Sequence, residues 1–256
     1  MSTAGIHIES VNHQYGSGAN AVHALSDINL DIQEGEFVAL LGSSGCGKTT
    51  LLDILTGLTQ LQTGTTLLDS DSPAAGREDT ARMFARDALL PWRTAAQNID
   101  FALATRIDDA EERAQRIKVL LSAVGLEDFH DSYPAQLSQG MRQRVALART
   151  FSLQSRFVLL DEPFGAVDAL TKVTLQDLLV DLWQQTQSTT VVLVTHDIGE
   201  AIALADRVIV MSPRPGRIVA DVAVELPRPR RVRALQKTPE YHELIATIWD
   251  ALEGGP

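Results

Sequence analysis

An eight-residue segment, GSSGCGKT from Gly42 to Thr49, has the residue types and spacing of a phosphate-binding loop. An apolar segment precedes it and a helical pattern follows it, so backbone N–H groups and a helix N-terminus would face an anion. Lys48 would reach the β- and γ-phosphates of a nucleotide, and the Thr49 hydroxyl would ligate Mg²⁺. The predicted nucleotide-binding residues are Gly42, Ser43, Ser44, Gly45, Cys46, Gly47, Lys48, Thr49 and Thr50.

Two acidic residues, Asp161 and Glu162, follow a second apolar segment, FVLL. Asp161 at the end of a buried strand would hold Mg²⁺ through water, and Glu162 would orient or deprotonate an attacking water. A strand that ends in Asp-Glu is weak evidence by itself. Downstream of a phosphate-binding loop, the pair strongly indicates metal binding and water activation.

His196 follows the apolar segment VVLVT at the end of a third predicted strand. A histidine at a strand end is usually an ordinary polar residue with satisfied hydrogen bonds. In a parallel sheet, this strand end would lie beside the phosphate-binding loop and Asp161, where an imidazole can contact a γ-phosphate. His196 is therefore a candidate catalytic residue.

Ser138 begins a helical pattern in the segment QLSQGMRQRVALAR. A serine at this position predicts a helix N-cap, and the helix N-terminus together with the Ser138 hydroxyl can bind an anion. An ordinary capped helix is the alternative interpretation.

These residues require an α/β framework to position them. Short apolar segments predict strands buried on both faces at residues 37–42, 156–163, 189–197 and 207–212. Helical patterns between strands indicate a parallel sheet with functional groups at the carboxyl ends of its strands. The first 35 residues predict a short antiparallel β segment, residues 108–153 a helical insert, and TPEYHELIATIWDALEG a final helix.

The overall composition disfavours several classes of protein. The 256-residue chain has a formal net charge of −11, which argues against a general nucleic-acid-binding surface. Its single cysteine, Cys46, excludes an intrachain disulfide. No secretory signal is visible, and no apolar segment approaches the roughly 18 residues of a membrane helix. The one basic concentration, PRPRRVR, predicts a solvated tail or a salt-bridged face.

The sequence resembles the ATP-binding subunits of ABC transporters across nearly its whole length. The matching segments are GSSGCGKTT (42–50), LSQGMRQRVALAR (137–149), FVLLDEPFGAVD (157–168) and VTHD (194–197). More narrowly, LLPW (89–92), LLDEPFGAVDALT (159–171) and SPRPGRIV (212–219) are similar to importers for nitrate, sulfonates and taurine.

The resemblance implies an α/β fold of the P-loop NTPase class: a RecA-like core with a parallel sheet, plus an antiparallel β segment and an α-helical insert subdomain. The whole chain, 1–256, would form one nucleotide-binding domain. Its expected parts are a core with the N-terminal β segment at 1–85 and 155–212, a helical signature subdomain at 86–154 and a C-terminal extension at 213–256.

The resemblance also implies that two subunits sandwich each ATP, with Mg²⁺ as the metal cofactor. Ser138 and Gly140 would contact the ATP that Lys48 of the partner subunit holds. Tyr15 matches an aromatic residue that stacks on adenine, although an ordinary strand-edge tyrosine is the alternative. Asp168 matches the loop that crosses the interface between the two subunits.

Leu89, Leu90 and Trp92 surround Pro91, which disfavours a regular helix or a central strand there. Either a loop or a helix start at this place folds back onto its own core, or another molecule covers it. In the related importers this segment lies beside the surface that receives a cytoplasmic helix of the permease. The resemblance therefore favours contact with a membrane partner.

The implied assembly is a pair of nucleotide-binding subunits on the cytoplasmic face of the cell membrane. A homodimer is favoured, and a pair with a different cassette is the alternative. Its partners would be membrane permease subunits and, indirectly, an extracytoplasmic solute-binding protein that selects a small anion such as nitrate, a sulfonate or taurine. No nucleic acid is expected. An ABC ATPase of DNA repair or translation is disfavoured, because such proteins carry long coiled coils or a second cassette.

Two places depart from the family pattern. Ala85 stands where the family has a glutamine that ligates Mg²⁺, and neither Arg86, one residue out of phase, nor Gln97 is an obvious substitute. Gln139 and Met141 replace a glycine and a glutamine of the usual signature. ATP binding and hydrolysis are expected, with slower or differently gated turnover. The alternative is a switch that dimerises on ATP with little turnover.

Overall fold

The computed structural model describes residues 4–85, 87–165, 167–186 and 188–254. The strands are β1 (Ala4–Tyr15), β2 (Val22–Gln33), β3 (Phe37–Leu41), β4 (Thr63–Leu68), β5 (Thr80–Met83), β6 (Phe157–Asp161), β7 (Thr190–Thr195), β8 (Arg207–Met211) and β9 (Ile218–Ala223). The α-helices are α1 (Lys48–Leu55), α2 (Ala95–Leu103), α3 (Ala110–Ala123), α4 (Gln139–Ser152), α5 (Ala169–Gln184), α6 (Ile198–Leu204), α7 (Val232–Leu235) and α8 (Pro239–Glu253).

The larger sheet has the strand order β5-β6-β7-β3-β8-β9. The first five strands in this order are mutually parallel, and β9 is antiparallel to β8. Every residue of β3, β6 and β7 is buried. Alternate residues of β3 enter two hydrophobic cores, with Ala39 and Leu41 in one and Val38 and Leu40 in the other. Burial on both faces explains the continuous apolar segments that predicted these strands.

The strand order brings the predicted functional residues to one end of the larger sheet. β7 lies between β3 and β6, so their carboxyl ends are neighbours. The phosphate-binding loop follows β3, Asp161 ends β6, and His196 follows β7. The predicted parallel α/β sheet is confirmed.

The smaller sheet is antiparallel and has the strand order β2-β1-β4. The predicted β segment is confirmed, but it is not short, because β1 and β2 each contain 12 residues. β4, β5 and β9 were not predicted from the sequence. Each contains exposed or half-buried residues and therefore lacks the continuous apolar segment that marked the buried strands.

Helices α2, α3 and α4 lie between β5 and β6 in the sequence and pack against one another. The side chains of Asp109 and Ser138 cap α3 and α4 by accepting backbone N–H bonds. Thr94 and Gln97 form a capping box at the start of α2. The LLPW segment is thus a loop that leads into a helix. None of the helices in the described ranges is long and apolar enough to cross a membrane.

The basic segment near the C-terminus is bound to the protein. Arg228 pairs with Asp206, and Arg231 pairs with Asp181. Arg230 is 4% exposed, and burial lowers its pKa to about 10. Its guanidinium donates hydrogen bonds to the backbone carbonyl groups of Ile202, Ala205, Val224 and Leu226. The salt-bridged alternative is confirmed, and the solvated tail is wrong.

Candidate functional site

The segment between β3 and α1 forms a tight loop around the Lys48 ammonium group. Lys48 is buried, and its Nζ donates hydrogen bonds to the carbonyl oxygens of Gly42 at 2.7 Å and Ser43 at 3.0 Å. Gly47 has a φ of +107°, and a Cβ there would lie 2.7 Å from the Ala24 carbonyl oxygen, so the position requires glycine. Ser43, Ser44 and Gly45 form the exposed rim of the loop, whereas the Cys46 thiol is buried beneath it.

Asp161 meets the first turn of α1 at the floor of the site. Its Oδ1 accepts a hydrogen bond from Thr49 Oγ1 at 3.2 Å, and its Oδ2 accepts one from Arg82 at 3.1 Å. The Thr49 hydroxyl and the Asp161 carboxylate are the oxygen donors that Mg²⁺ prefers, and they fit this metal. The described ranges contain no group of three or more His, Cys, Asp or Glu that could hold a metal alone. A Mg²⁺ ion typically completes its coordination with phosphate and water oxygens.

Glu162 directs its carboxylate toward His196. His196 Nδ1 lies 3.3 Å from Glu162 Oε2, and both side chains remain partly accessible. Glu162 has a φ of +43°, which is unusual for a residue with a side chain. Its backbone N–H donates to the Val194 carbonyl oxygen at 3.0 Å and fixes this conformation. Strained backbone of this kind is typical of functional sites.

A cleft of about 330 Å³ opens beside these residues. Its lining residues are Tyr15, Val22, Ala24, Ser44, Gly45, Gly47, Lys48, Thr49, Thr50, Glu162 and Arg214. A larger groove, of about 540 Å³, lies between α1 and β4 and has no charged residue in its lining. The buried Lys48, the Thr49 hydroxyl and the Glu162 carboxylate in its lining, and not its volume, select the smaller cleft as the candidate functional site.

Tyr15 stands at the end of β1 on the wall of the cleft. Its hydroxyl lies 3.2 Å from Thr50 Oγ1, and its ring contacts His13 edge to face with centroids 4.8 Å apart. The Tyr15 side chain is nevertheless 46% exposed. A ring that is held at two points and still accessible is suited to stacking on a flat ligand.

Ser138 and Gly140 are not among the residues that line the cleft. Both lie at the start of α4, where Ser138 Oγ accepts a hydrogen bond from the Met141 backbone N–H at 3.3 Å. A Cβ on Gly140 would lie 2.5 Å from the Thr171 methyl group, so glycine lets α4 approach α5 closely. Gln139 is exposed beside them.

Asp168 caps α5 next to this helix start. Its Oδ1 accepts hydrogen bonds from the backbone N–H groups of Leu170 and Thr171, each at 3.1 Å. Hydrogen bonds from Thr171 lower the pKa of the Asp168 carboxyl group. Because Thr171 contacts both Asp168 and the Gly140 position, the starts of α4 and α5 form one continuous surface.

A charge cluster with one buried carboxylate, that of Glu200, adjoins the segment that carries His196. Lys172 Nζ lies 2.7 Å from Asp197 Oδ2 and 2.9 Å from Glu200 Oε2. Burial raises the pKa of the Glu200 carboxyl group to about 7. Asp197 caps α6 through the Glu200 N–H, so the cluster connects α5 with the segment that carries His196.

Comparison with known proteins now decides the family. A sequence profile of the family described as ABC transporter matches residues 25–165. The chain belongs to the ABC transporter family. The nitrate import ATP-binding protein NrtD of Synechococcus elongatus is 38% identical over 98% of this chain and 93% of its own length. The taurine import ATP-binding protein TauB of Pelagibacter ubique is 38% identical over 91% of this chain and 90% of its own length.

A solved structure of an ATP-binding cassette has the same fold as this chain. The ATP-binding cassette MJ0796, solved as a dimer in a post-hydrolysis state bound to ADP and Pi, has a TM-score of 0.76 to this chain. It is 31% identical, and the match covers 87% of this chain and all of that one. This chain is thus an ATP-binding cassette of the ABC family and an ATPase. The expected P-loop NTPase fold is confirmed.

In this ABC cassette, Gln97 does not stand out as a substitute for the missing glutamine. Ala85 follows β5 and is exposed. The Gln97 side chain accepts a hydrogen bond from the Thr94 backbone N–H at 3.0 Å, so it serves as part of the α2 cap. Arg86 lies outside the described residues.

The sequence analysis missed two arginines of the cassette site. Arg214 lines the cleft, and its Nε donates to the Gly45 carbonyl oxygen at 3.2 Å. The importer-like segment SPRPGRIV, which contains Arg214, is the sequence signal for this residue. Arg82 reaches Asp161 from β5, and no motif in the sequence indicated it.

The apolar loop of the cassette corrects one expectation. Leu89 is 8% exposed and belongs to the hydrophobic core of the protein, so it does not face a partner. Leu90 is half-buried, whereas the Trp92 side chain is 70% exposed. Asn98 holds the loop: its Oδ1 accepts from the Leu90 N–H at 2.8 Å, and its Nδ2 donates to the Arg93 carbonyl oxygen at 3.0 Å. Leu89 thus folds back onto the core of the protein, whereas Trp92 remains exposed for contact with another molecule.

Proposed function

We propose that this ABC cassette is the Mg²⁺-dependent ATP-hydrolysing subunit of an importer for a small anionic solute such as nitrate, a sulfonate or taurine. The observation that carries the proposal is the arrangement at one end of the sheet. A buried lysine, a hydroxyl–carboxylate pair for a metal and a carboxylate–imidazole pair for a water adjoin a single cleft. Names of the relatives support the class of solute.

In the proposed mechanism, the loop from Gly42 to Thr50 surrounds the phosphates of ATP with backbone N–H groups. Lys48 places its positive charge at the β- and γ-phosphates, and Tyr15 stacks on the adenine. Thr49 and Asp161 would hold Mg²⁺, the latter through water. The metal, when bound, neutralises charge that develops on the phosphate oxygens.

Glu162 is the proposed general base. Its carboxylate accepts a proton from water as the water oxygen attacks the γ-phosphorus, and the bond to the bridging oxygen of ADP breaks. His196 contacts this carboxylate and is the proposed hydrogen-bond donor to the γ-phosphate. Inorganic phosphate and ADP are the products.

A second copy of the chain would complete each site. Ser138 and Gly140 lie outside the cleft of their own subunit, which agrees with a contact to ATP on a partner. Asp168 adjoins the same surface and would lie at the interface between the copies. We therefore propose a homodimer closed by two ATP molecules.

Membrane permease subunits are the proposed partners on the cytoplasmic face of the membrane. The exposed Trp92 on the loop before α2, with the half-buried Leu90 beside it, is the proposed contact for a permease helix. Exposed aromatic anchors of this kind are enriched in interfaces. An extracytoplasmic solute-binding protein would select the solute and act on the cassette indirectly.

Steady-state ATP turnover of the purified chain with Mg²⁺, beside Glu162→Gln, tests the mechanism. Glu127→Gln, at an exposed position of the helical insert, is the matched control. Turnover that is lost only in Glu162→Gln is expected. Bound ATP without turnover in the unsubstituted chain would instead favour the ATP-dependent dimerisation switch.

The solute class needs a separate experiment in the source organism. Deletion of the gene should abolish growth on at least one of nitrate, a sulfonate or taurine, each supplied as the sole nitrogen or sulfur source. The unsubstituted gene should restore growth, and Glu162→Gln should not. Unimpaired growth of the deletion strain on all three solutes would contradict the proposed cargo class.

A further inference from the structure

Arg82 is a buried arginine whose guanidinium lies between two carboxylates. Its side chain is 7% exposed, and Nη2 donates to Asp161 Oδ2 at 3.1 Å. Nη1 pairs with Asp53 Oδ1 on the opposite side. The Phe84 ring lies against the guanidinium, with its centroid 4.7 Å from Cζ. Nη1 also donates to Thr56 Oγ1 at 3.4 Å, so four neighbours fix the position of this group.

The spacing of residues on α1 shows why this arrangement bears on the metal site. Thr49 and Asp53 are four residues apart and lie on the same face of the helix. Asp161 is placed opposite that face, with Oδ1 on Thr49 and Oδ2 on Arg82. Arg82 thus holds one carboxylate oxygen while the other points to the proposed Thr49 ligand.

The charges of Arg82, Asp53 and Asp161 sum to −1, so Arg82 can orient the Asp161 carboxylate without making the site repel Mg²⁺. Asp53 neutralises Arg82, which leaves the charge of Asp161 for the metal. A lysine could not replace this residue, because a single ammonium group cannot match the planar fork that reaches both carboxylates.

We propose that Arg82 is a positioning residue that holds Asp161 in the orientation that Mg²⁺ binding requires. The inference rests on the proposed magnesium site. Ala85, at the family's glutamine position after β5, has no group that can reach the metal. In this chain Arg82, on β5, is the residue that reaches the proposed metal-binding carboxylate of Asp161. Loss of a group that orients a metal-binding carboxylate typically weakens metal affinity by about 10- to 100-fold.

The experiment measures binding of a non-hydrolysable ATP analogue by calorimetry, without metal and across a Mg²⁺ titration. Arg82→Met should raise the Mg²⁺ concentration for half-maximal tight binding by about tenfold or more. Metal-free affinity should stay within about threefold, because Arg82 does not line the nucleotide cleft. Arg77→Gln is the matched control, because Arg77 is also largely buried and pairs with Asp79 at 2.6 Å away from the site.

Several outcomes would overturn the inference. An unchanged Mg²⁺ requirement in Arg82→Met would show that Arg82 does not act on the metal site. A lower requirement would show that the positive charge of Arg82 repels the metal. Equal losses with and without Mg²⁺ would show a general structural role. Should melting curves show that Arg82→Met is unfolded, Arg82→Lys is measured by the same two criteria.

Failure of the inference is distinguishable from failure of the proposed function. Absence of Mg²⁺-dependent binding in the unsubstituted chain would overturn the magnesium site itself. Mg²⁺-dependent binding there, with the same requirement in Arg82→Met, would overturn only the role of Arg82.

Discussion

His196 Nδ1 lies 3.3 Å from Glu162 Oε2, across the carboxyl ends of the neighbouring strands β6 and β7. The contact joins two residues that are far apart in the sequence. It exists because β7 is inserted between β6 and β3 in the sheet. The contact orients the carboxylate of Glu162, the proposed general base.

His196→Ala should therefore lower kcat while leaving nucleotide affinity nearly unchanged. A positioned proton-transfer or hydrogen-bonding group contributes about 100-fold or more, and a loss of this size is expected. Steady-state kinetics and equilibrium binding of ATP measure the two quantities separately. A raised KM with unchanged kcat would contradict a catalytic role and indicate a binding role.

Tyr15→Ala should weaken ATP binding by about 5- to 150-fold, the equivalent of the ~1–3 kcal/mol of aromatic stacking on a base. Tyr15→Phe keeps the ring, loses only the contact between its hydroxyl and Thr50, and is the matched control. Its affinity should remain close to that of the unsubstituted chain. Equal losses in the two variants would show that the hydroxyl, and not stacking, matters.

Ala85→Gln should increase turnover and lower the Mg²⁺ requirement. An amide oxygen can ligate Mg²⁺ or position water, whereas a methyl group cannot. Ala85 is exposed, so a longer side chain can be accommodated. Ala85→Met, which adds length without an oxygen, is the control. Unchanged turnover and Mg²⁺ dependence in Ala85→Gln would show that this chain does not need the group.

Glu200 should make stability depend on pH. Its pKa is about 7 in the folded protein, raised by burial from 4.5, so the folded state retains the proton between these values. The resulting stabilisation is complete below about pH 4.5 and is lost as the pH rises through 7. Lys172, whose own pKa is raised beside Glu200 and Asp197, stays protonated throughout.

Chemical denaturation between pH 5 and 8 checks this expectation. The unsubstituted chain should lose stability relative to Glu200→Gln as pH rises, by on the order of 3 kcal/mol at most. Glu243→Gln, at an exposed position of α8, is the control and should follow the unsubstituted chain. Parallel pH curves for Glu200→Gln and the unsubstituted chain would contradict the assignment.

The sequence predicted the parts of the fold that are buried on both faces. β3, β6 and β7 are continuous apolar segments, and each leads directly into a functional residue at its end. The partly exposed β4 and β9 have no comparable pattern. Local sequence thus locates the centre of the sheet better than its edges.

Candidate site residues that belong to a sequence motif were predicted. Residues that reach the site only through tertiary contacts were missed. Lys48 and Thr49 follow from the spacing of one motif, and Asp161 follows from its place at the end of an apolar segment downstream of that motif. Arg82 becomes visible only when Asp53 and Asp161 are seen on either side of it. Leu89 and Trp92 are three residues apart, yet one is in the core and the other is at the surface, because Pro91 interrupts any regular periodicity.

The hydrogen bonds of Arg230 have a consequence for any shortened version of the chain. Removal of the residues after β9, 224–256, would leave the Ile202 and Ala205 carbonyl groups without their arginine donor at the end of α6. Helix α6 begins two residues after His196, so the damage would spread to the end of the sheet that carries the proposed catalytic residues. Proteolytic trimming after β9 should therefore yield an unstable fragment and not a minimal ATPase.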